Sequence, residues 1–314
     1  MPDSTQLFQT RRIGTRPSGY GAALRGRCIF TVDVEDWFHI LDVPSTPSLA
    51  DWDTLPSRVE HSFMKLLDIF SRANVHTTCF FLGWVGKRFP SLVKEADARG
   101  HEIASHGYAH QLVQNMTPAE FRKDISTAKV ILENASGKVV CGYRAPGFSA
   151  TAEVPWFFRQ VAAAGYTYDS SIFPGSSEHG GIKTSLLGPY EFETEPGKLL
   201  EFPMTVYDFY GKQLCVFGGG HLRLAPLWLI RKTARKVLAS GRPVIYYIHP
   251  REIDPDHPRL PMSARRHFKC YVNLSTTEAK ITGLLSKFKF ATFQEFISEH
   301  QRGLTDNHAR IADL

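Results

Sequence analysis

The sequence predicts an α/β fold in which parallel strands alternate with helices, as an open sheet or closed into a barrel. Three observations lead to this prediction. Short β-branched and aromatic runs alternate with segments of helical periodicity, several of those helices carry capping signals, and the charged side chains gather where predicted strands end. The composition agrees, since 43% hydrophobic and 22% charged residues in a 314-residue chain exclude a wholly disordered protein.

Seven strands and seven helices are predicted in alternation along most of the chain. The strands are Cys28–Val34, Val75–Leu82, Glu102–Ser105, Lys138–Tyr143, Tyr166–Asp169, Pro243–Ile248 and Lys287–Thr292. The helices are Arg58–Phe70, Ser91–Arg99, 117–134, Ala152–Ala164, Pro226–Ala239, Thr277–Ser286 and Gln294–His300. The first helix has apolar residues at positions 63, 66, 67 and 70, which form one face. The third begins at a capping box of Thr117 and Glu120, and glycines 100, 165 and 241 end three others.

Two internal segments break this alternation, and the ends differ from the middle. Residues 174–222 are rich in Gly and Pro and are predicted to be an inserted β-rich or loop segment. Residues 250–270 are rich in Pro and Arg and are predicted to be a long loop. We expect a flexible leader over 1–26, one domain over 27–300 and a tail over 301–314.

Charge and cysteine content exclude several classes of protein. The 37 Lys+Arg and 31 Asp+Glu leave a net charge of +6, and the basic residues are too dispersed to predict nucleic-acid binding. Five cysteines without a CxxC pair argue against a disulfide framework and a cysteine zinc site. The sequence has no apolar run of the ~18 residues that a membrane helix needs and no secretory h-region. We therefore expect a cytoplasmic protein with at most peripheral membrane contact.

An acidic motif, Asp33-Val34-Glu35-Asp36, follows the first predicted strand. Unpaired buried carboxylates are costly, so such a strand end is expected to face a cation or solvent. Strand alternation places Asp33 and Glu35 on one face, whereas Asp36 points the other way unless the chain turns.

A histidine pair, His106 and His110, follows the third predicted strand. Two histidines four residues apart on one turn can bind one metal ion, and a carboxylate from elsewhere would complete a 2-His-1-carboxylate face. Two unrelated surface histidines would also fit the spacing, but the position at a strand end favours the metal site.

Two further strand ends carry reactive side chains. Arg144 follows the fourth predicted strand and could hold a carboxylate, and the Pro146-Gly147 turn after it could present backbone N–H groups. His249 follows a very apolar strand and could act as an acid or base near neutral pH. Asp169, at the end of another predicted strand, could orient it.

In this order, these motifs resemble those of the polysaccharide deacetylases of carbohydrate esterase family 4, which share the NodB homology domain. The phrases DVEDWFH, GHEIASHGYAH, GYRAPGFS, YDSSIFP and YIHPREID resemble a subgroup found beside exosortase and exopolysaccharide gene clusters. That subgroup has a C-terminal extension, to which residues 250–293 are similar. The resemblance implies a distorted (β/α)7 barrel and exopolysaccharide biosynthesis. It covers about residues 28–300.

The resemblance also implies a metal-dependent N-deacetylase with a defined set of site residues. The metal ligands would be His106, His110 and either Glu35 or Asp36, and the ion is expected to be zinc, with cobalt or nickel as alternatives. Many relatives have adjacent acids at the first motif, whereas the spacing here favours Asp33 as the general base and Glu35 as the ligand. The substrate would be an N-acetylated glycan or a lipid-linked sugar.

The remaining roles implied by the resemblance concern proton transfer and substrate contact. Arg144 would hold Asp33 ionised, and a backbone N–H near Phe148 would stabilise the oxyanion. His249, steered by Asp169, would protonate the leaving amine. Aromatic side chains are candidates for stacking on sugar faces, although most could equally be core residues: Trp37, Trp84, Phe148 and Trp156.

Two alternative functions remain open from the sequence. One is an amide hydrolase of the same fold that acts on a non-sugar substrate such as a ureide or a formamide. The other is a glycan-binding descendant without activity, against which the intact set of motif residues argues.

Overall fold

A curled sheet of parallel strands forms the centre of the computed structural model, which describes residues 10–11, 26–175, 179–209 and 212–301. Seven of its strands run parallel in the order β8-β6-β5-β4-β3-β2-β11. Among the described residues β8 and β11 do not pair with each other, so the barrel is distorted. Segment 202–206 bridges this gap, since Ile245 N donates to Thr205 Oγ1 at 2.8 Å.

The strands and helices have the following bounds in chain order. The strands are β1 Thr10–Arg11, β2 Arg27–Val34, β3 Thr78–Phe81, β4 Glu102–Ser105, β5 Gly142–Tyr143, β6 Tyr168–Asp169, β7 Tyr190–Thr194, β8 Gly197–Glu201, β9 Tyr207–Phe209, β10 Lys212–Leu214, β11 Val244–Ile248 and β12 Lys289–Ala291. The helices are α1 Val59–Ala73, α2 Gly83–Arg88, α3 Pro90–Ala98, α4 Pro118–Ser136, α5 Phe157–Ala163, α6 Gly219–Leu224, α7 Leu227–Ala239, α8 Ala264–Tyr271, α9 Thr277–Leu285 and α10 over 293–301.

Strand β2 is central to the sheet, because it pairs with three other strands. β11 lies along one edge, while β12 pairs with the first half and β3 with the second half of the other edge. Side-chain alternation along β2 separates two apolar layers. Ile29 belongs to the cluster inside the barrel, whereas Cys28 and Phe30 belong to the larger cluster between the sheet and the helices. The same alternation points Asp33 into the barrel.

Helix α4 confirms the predicted capping box. The Thr117 side chain accepts a hydrogen bond from Glu120 N, and the Glu120 carboxylate accepts one from Thr117 N at 2.8 Å. The helix ends at Gly137, whose φ of 70° is left-handed and therefore suits a residue without a Cβ. No helix among the described residues is both long and apolar enough to cross a bilayer.

The predicted insertion is β-rich, one of the two predicted alternatives, whereas the predicted long loop is more ordered than expected. Within the predicted insertion, β7 and β8 form an antiparallel hairpin, and β8 also pairs with β6 as one of the seven parallel strands. The predicted long loop over 250–270 contains a short 3-10 helix and most of α8, which is capped by Ser263. In the predicted leader, β1 pairs with β7, and most of the leader lies outside the described residues.

Candidate active site

The acidic motif at the end of β2 places two of its carboxylates close to His249 and the third elsewhere. The chain turns immediately after the strand, since Glu35 N donates to Asp33 O at 3.0 Å. Asp33 keeps the inward direction of β2, and Glu35 lies close enough to share one group with Asp33 and His249. Asp36 points towards Arg58 instead. All three side chains are buried, so each needs partners to offset the loss of water.

Asp33 is held by Arg144, as the sequence suggested. Arg144 Nη1 donates to Asp33 Oδ1 and to Thr31 Oγ1, both at 2.7 Å. The guanidinium is fully buried, donates to the Ser170 carbonyl at 3.2 Å and lies over the Phe80 ring at 4.1 Å. These contacts fix the Asp33 carboxylate in one orientation, with its other oxygen free of Arg144.

Glu35 lies among three histidines. Its Oε1 is 3.3 Å from His106 Nε2, 2.9 Å from His110 Nε2 and 3.6 Å from His249 Nε2. Burial opposes ionisation of this carboxyl, but the charges of His110 and His249 outweigh it, and the pKa of Glu35 lies well below its usual range. The site therefore favours a carboxylate at this position.

The His106 and His110 nitrogens fit a metal ion. His106 Nδ1 is 2.8 Å from the Arg144 carbonyl, which can only accept, so Nδ1 carries a proton and Nε2 of a neutral ring presents its lone pair to Glu35. Within the described part of the chain, Nε2 of His106 and of His110 lack a hydrogen bond of good geometry. One nitrogen of each histidine and one carboxylate oxygen of Glu35 lie within 4.8 Å of one another, so a single cation could bind all three. Two imidazoles and one carboxylate are a typical donor set for a divalent metal.

Asp36, the alternative metal ligand, lies outside this cluster. Its carboxylate accepts hydrogen bonds from Trp37 N, from the Ser57 hydroxyl and, at 3.0 Å, from Arg58 N at the start of α1. Burial outweighs these bonds and raises the pKa of Asp36. The interpretation of Asp36 as a ligand is therefore wrong, because its oxygens cap α1.

His249 is oriented by Glu252 and not by Asp169. His249 Nδ1 lies 2.7 Å from Glu252 Oε1, and Glu252 Oε1 also accepts from His249 N at 3.1 Å. The buried Arg223 guanidinium donates to the other Glu252 oxygen. Burial opposes ionisation of Glu252, but Arg223 and His249 outweigh it and lower its pKa to about 2.

Asp169 instead pairs with Glu201 on the neighbouring strand. The two residues are register partners in β6 and β8 and share a hydrogen bond. Burial raises the pKa of Asp169 to about 6, and that of Glu201 well above its usual range. Asp169 also accepts from Ser171 Oγ at 2.7 Å, and Ser171 Oγ accepts from Ala145 N at 2.8 Å. Asp169 thus supports the turn that carries Arg144.

The aromatic candidates for sugar stacking are mostly core residues. Trp37 is 7% exposed and donates its indole N–H to Pro56 O at 2.9 Å, so it does not present a face to a ligand. Trp84 is also buried, and Trp156 packs against Phe121. Phe148 is buried against Tyr247, with ring centroids 5.0 Å apart. The expected sugar contacts of Trp37 and Phe148 are therefore wrong for these side chains as they stand.

The backbone near Phe148 is also engaged. Phe148 N donates to Ala145 O at 3.0 Å, and Ser149 N donates to Pro146 O at 3.2 Å. Neither amide is available to an oxyanion in this geometry. Gly147 has a φ of 62°, which produces the tight turn that uses these two amides.

Sequence reasoning missed Glu252 and Thr31. A signal for Glu252 existed, because His249-Pro250-Arg251-Glu252 has a proline at the first helical position and a glutamate at the third, and it forms a capping box. Thr31 could have been found from strand alternation, which places it on the same face as Asp33.

Two family models match consecutive parts of the chain. Polysaccharide deacetylase matches residues 49–168, and a domain of unknown function (DUF3473) matches residues 170–298. The acidic motif precedes both matched ranges, and His249 lies within the second.

Two curated relatives are similar over a short stretch. A peptidoglycan-N-acetylglucosamine deacetylase from Bacillus cereus is 34% identical over 73 residues, which cover 23% of this chain and 26% of the relative. A chitooligosaccharide deacetylase from Bradyrhizobium sp. is 30% identical over 70 residues, which cover 22% of this chain and 32% of the relative. The chain thus spans a third or less of the curated relatives that it matches.

A solved structure shares the fold over nearly its whole length. A polysaccharide deacetylase structure from Mycobacterium smegmatis has a TM-score of 0.60 and 20% identity, and the match covers 95% of this chain and 96% of that one. It supports the distorted barrel. Residues 49–168 therefore match the polysaccharide deacetylase family model, and the curated relatives to which the chain is similar are named deacetylases.

Proposed function

We propose that this protein is a metal-dependent N-deacetylase that removes acetate from an N-acetylated sugar of a bacterial polysaccharide or of its lipid-linked precursor. One observation carries the proposal: Glu35, His106 and His110 offer a metal donor set directly beside the Asp33–Arg144 pair and His249. A general base, a metal site and a general acid are therefore close enough together to act on one amide bond.

Glu35, His106 and His110 would hold the ion. When bound, a divalent metal polarises an amide carbonyl and makes water more acidic, and we propose zinc, with cobalt and nickel as alternatives. The protein contributes the orientation of these ligands, since the Arg144 carbonyl fixes the His106 ring.

Asp33 would act as the general base. Its carboxylate lies with Glu35 and His249 in a group whose ligand atoms are all within 4.8 Å of one another. Arg144 occupies one of its oxygens, so the other can accept the proton of an attacking water. Because Arg144 is itself buried and held by neighbouring oxygens, the base does not need to reorganise during the reaction.

His249 would act as the general acid for the leaving nitrogen. Glu252 holds Nδ1, so Nε2 is the atom that faces the site and delivers the proton. Glu252 is a positioning residue, and Arg223 in turn keeps Glu252 ionised. An ionised Glu252 also stabilises the protonated ring, as the acid role requires.

A substrate assay with metal analysis tests the proposal. Pure protein is analysed for bound metal, and acetate release is measured on N-acetylated glucosamine oligomers, N-acetylated lipid-linked sugars, a ureide and a formamide. We expect one divalent ion per chain and acetate from at least one N-acetylated sugar. Hydrolysis of only the ureide or formamide would favour the non-sugar alternative. A metal-loaded protein inactive on the whole panel would contradict the proposed reaction.

Asp33→Asn is the matched control for that assay. It removes the base and leaves Glu35, His106 and His110 in place, so contaminating activity would persist in this variant while the protein's own activity would not.

A further inference from the structure

Helices α6, α7 and α8 carry positive charge without any acidic residue. Residues 209–251 and 257–277 contain no Asp or Glu, and these two segments include α6, α7 and α8. Helix α7 contributes four basic residues and α8 three: Arg231, Lys232, Arg235, Lys236, Arg265, Arg266 and Lys269. Of these, Lys232, Arg235 and Arg265 are exposed and take part in no ion pair between described residues.

The same helices expose large apolar side chains. Trp228 is 64% exposed, Phe268 is 56% exposed and Leu224 is 44% exposed. Together with Leu214, these are four of the seven large hydrophobic side chains exposed among the described residues. Single exposed apolar residues are ordinary, but a concentration of them on helices whose charged residues are all basic needs an explanation.

The exposed residues lie on neighbouring elements. Arg223 of α6 donates to the carbonyls of Lys269 at 2.7 Å and Cys270 at 3.0 Å in α8, so these two helices are in contact. Leu224 directly follows Arg223 in the sequence, and Phe268 directly precedes Lys269. Trp228 begins a stripe on α7 that continues with Lys232 and Arg235, at spacings of four and seven residues. We call Leu224, Trp228, Lys232, Arg235, Arg265 and Phe268 the α6–α8 surface.

We propose that the α6–α8 surface docks onto an anionic lipid bilayer. An indole, a phenyl ring and a leucine among unpaired cations match the interface of such a bilayer, where aromatic rings lie at the headgroup level and Lys or Arg contact anionic headgroups. A nucleic acid would use the cations but leaves the aliphatic Leu224 without a role. The surface also borders the catalytic end of the barrel, since Arg266 of α8 donates to Leu41 O, beyond the acidic motif, at 2.8 Å.

Helix α4 provides an internal control surface. It also has an exposed apolar residue, Val130, but its basic residues alternate with Glu120, Asp124 and Glu133. A mixed-charge face of this kind has no net attraction for anionic headgroups.

Vesicle co-sedimentation with the full chain tests this proposal. We expect binding to phosphatidylcholine vesicles that contain phosphatidylglycerol, little binding to pure phosphatidylcholine, and weaker binding at high salt. The apolar variant Trp228→Ala with Phe268→Ala, and the charge variant Lys232→Glu with Arg235→Glu, should each lower the partition coefficient by roughly tenfold or more. The control variant on α4, Val130→Ala with Lys123→Glu, should leave the partition coefficient unchanged.

Several outcomes would overturn the proposal. These are absence of binding to the anionic vesicles, equal losses in the α4 control, tighter binding of the same residues to a nucleic acid, and self-association lost in the same variants. All substituted side chains are exposed, and circular dichroism verifies folding. Because sedimentation does not measure catalysis, failure here would leave the deacetylase proposal intact, and an inactive enzyme could still dock.

Discussion

The two ends of the barrel both bury a glutamate, and they treat it in opposite ways. At the end where the strands finish, Glu35 faces three imidazole nitrogens, two of which lack a well-formed hydrogen bond among the described residues. At the end where the strands begin, Glu102 accepts from Thr78 Oγ1 at 2.7 Å, Tyr168 OH at 2.6 Å and Gln294 N at 3.1 Å.

The partners of each glutamate determine its role. Glu102 is surrounded by neutral donors, and burial raises its pKa in spite of them. Both of its oxygens accept hydrogen bonds from the protein, which join β4 to β3, β6 and α10, so its role is structural. Glu35 is surrounded by ionisable nitrogens that a cation could satisfy. A buried carboxylate is therefore informative about function when its neighbours, and not only its burial, are known.

The largest effect should come from His106→Ala at the catalytic end. Removing one of three ligands should reduce the metal content and the acetate release together, the latter to background. Metal analysis and the deacetylase assay on the same preparation measure this. A variant that kept its full metal content would exclude His106 as a ligand.

Asp33→Asn should separate catalysis from metal binding. The amide retains the shape of the carboxylate but cannot accept the proton, and loss of a general base commonly lowers the rate by about 10²–10⁴. We expect a normal metal content with this loss in kcat. Should the metal also be lost, Asp33 belongs to the ligand set.

His249→Ala should give a loss that depends on the substrate. On an amide, the general acid is needed and the rate should fall by about 10² or more. On an ester whose leaving group needs no proton, the loss should be much smaller. Equal losses on both substrates would indicate that His249 stabilises the oxyanion instead.

Glu252→Gln should have a smaller effect than His249→Ala, since the acid remains present. The neutral amide no longer holds the His249 ring through a charged hydrogen bond, so kcat should fall by roughly tenfold near neutral pH. The matched variant Asp169→Asn tests the sequence-based expectation that Asp169 orients His249. It should leave the orientation of His249 unchanged and lower kcat less than Glu252→Gln does, because Asp169 contacts Ser171 and Glu201.

Glu102→Gln should not alter activity, and its effect should be on stability. Since the folded-state pKa of Glu102 is raised, its contribution is complete below the ordinary glutamate pKa and is lost as the pH rises through the raised value. Gln cannot ionise, so its deficit of about 1–3 kcal/mol at low pH should shrink as the pH increases. Melting temperatures of both proteins between pH 4 and 8 measure this. A deficit that grows with pH would contradict it.

Local patterns predicted the elements whose causes are local. Two predicted features that depend on a few adjacent residues are present in the structure. They are the capping box at Thr117 and the strand Glu102–Ser105. Strand β5 is shorter than predicted, covering only Gly142–Tyr143, because its pairing partners β4 and β6 are themselves short.

The errors concern side chains whose partners are distant in sequence. Asp36 caps a helix that begins more than twenty residues later in the chain. Asp169 pairs with Glu201 on the adjacent strand β8, which lies in the segment predicted to be an insertion. Periodicity gives the face of a side chain but not the group opposite it. The role of Asp169 therefore required the sheet order, and the role of Asp36 required the position of α1 relative to the end of β2.

The central position of β2 limits how such chains can evolve by gene rearrangement. Its two edges hold β3 from the first matched segment and β11 from the second, while β2 itself precedes both. The border between the two segments falls within β6, at residues 168–170. The segments are thus halves of one sheet and not interchangeable modules. A gene rearrangement that replaced the second half would have to supply both a strand for β2 and a histidine at its end.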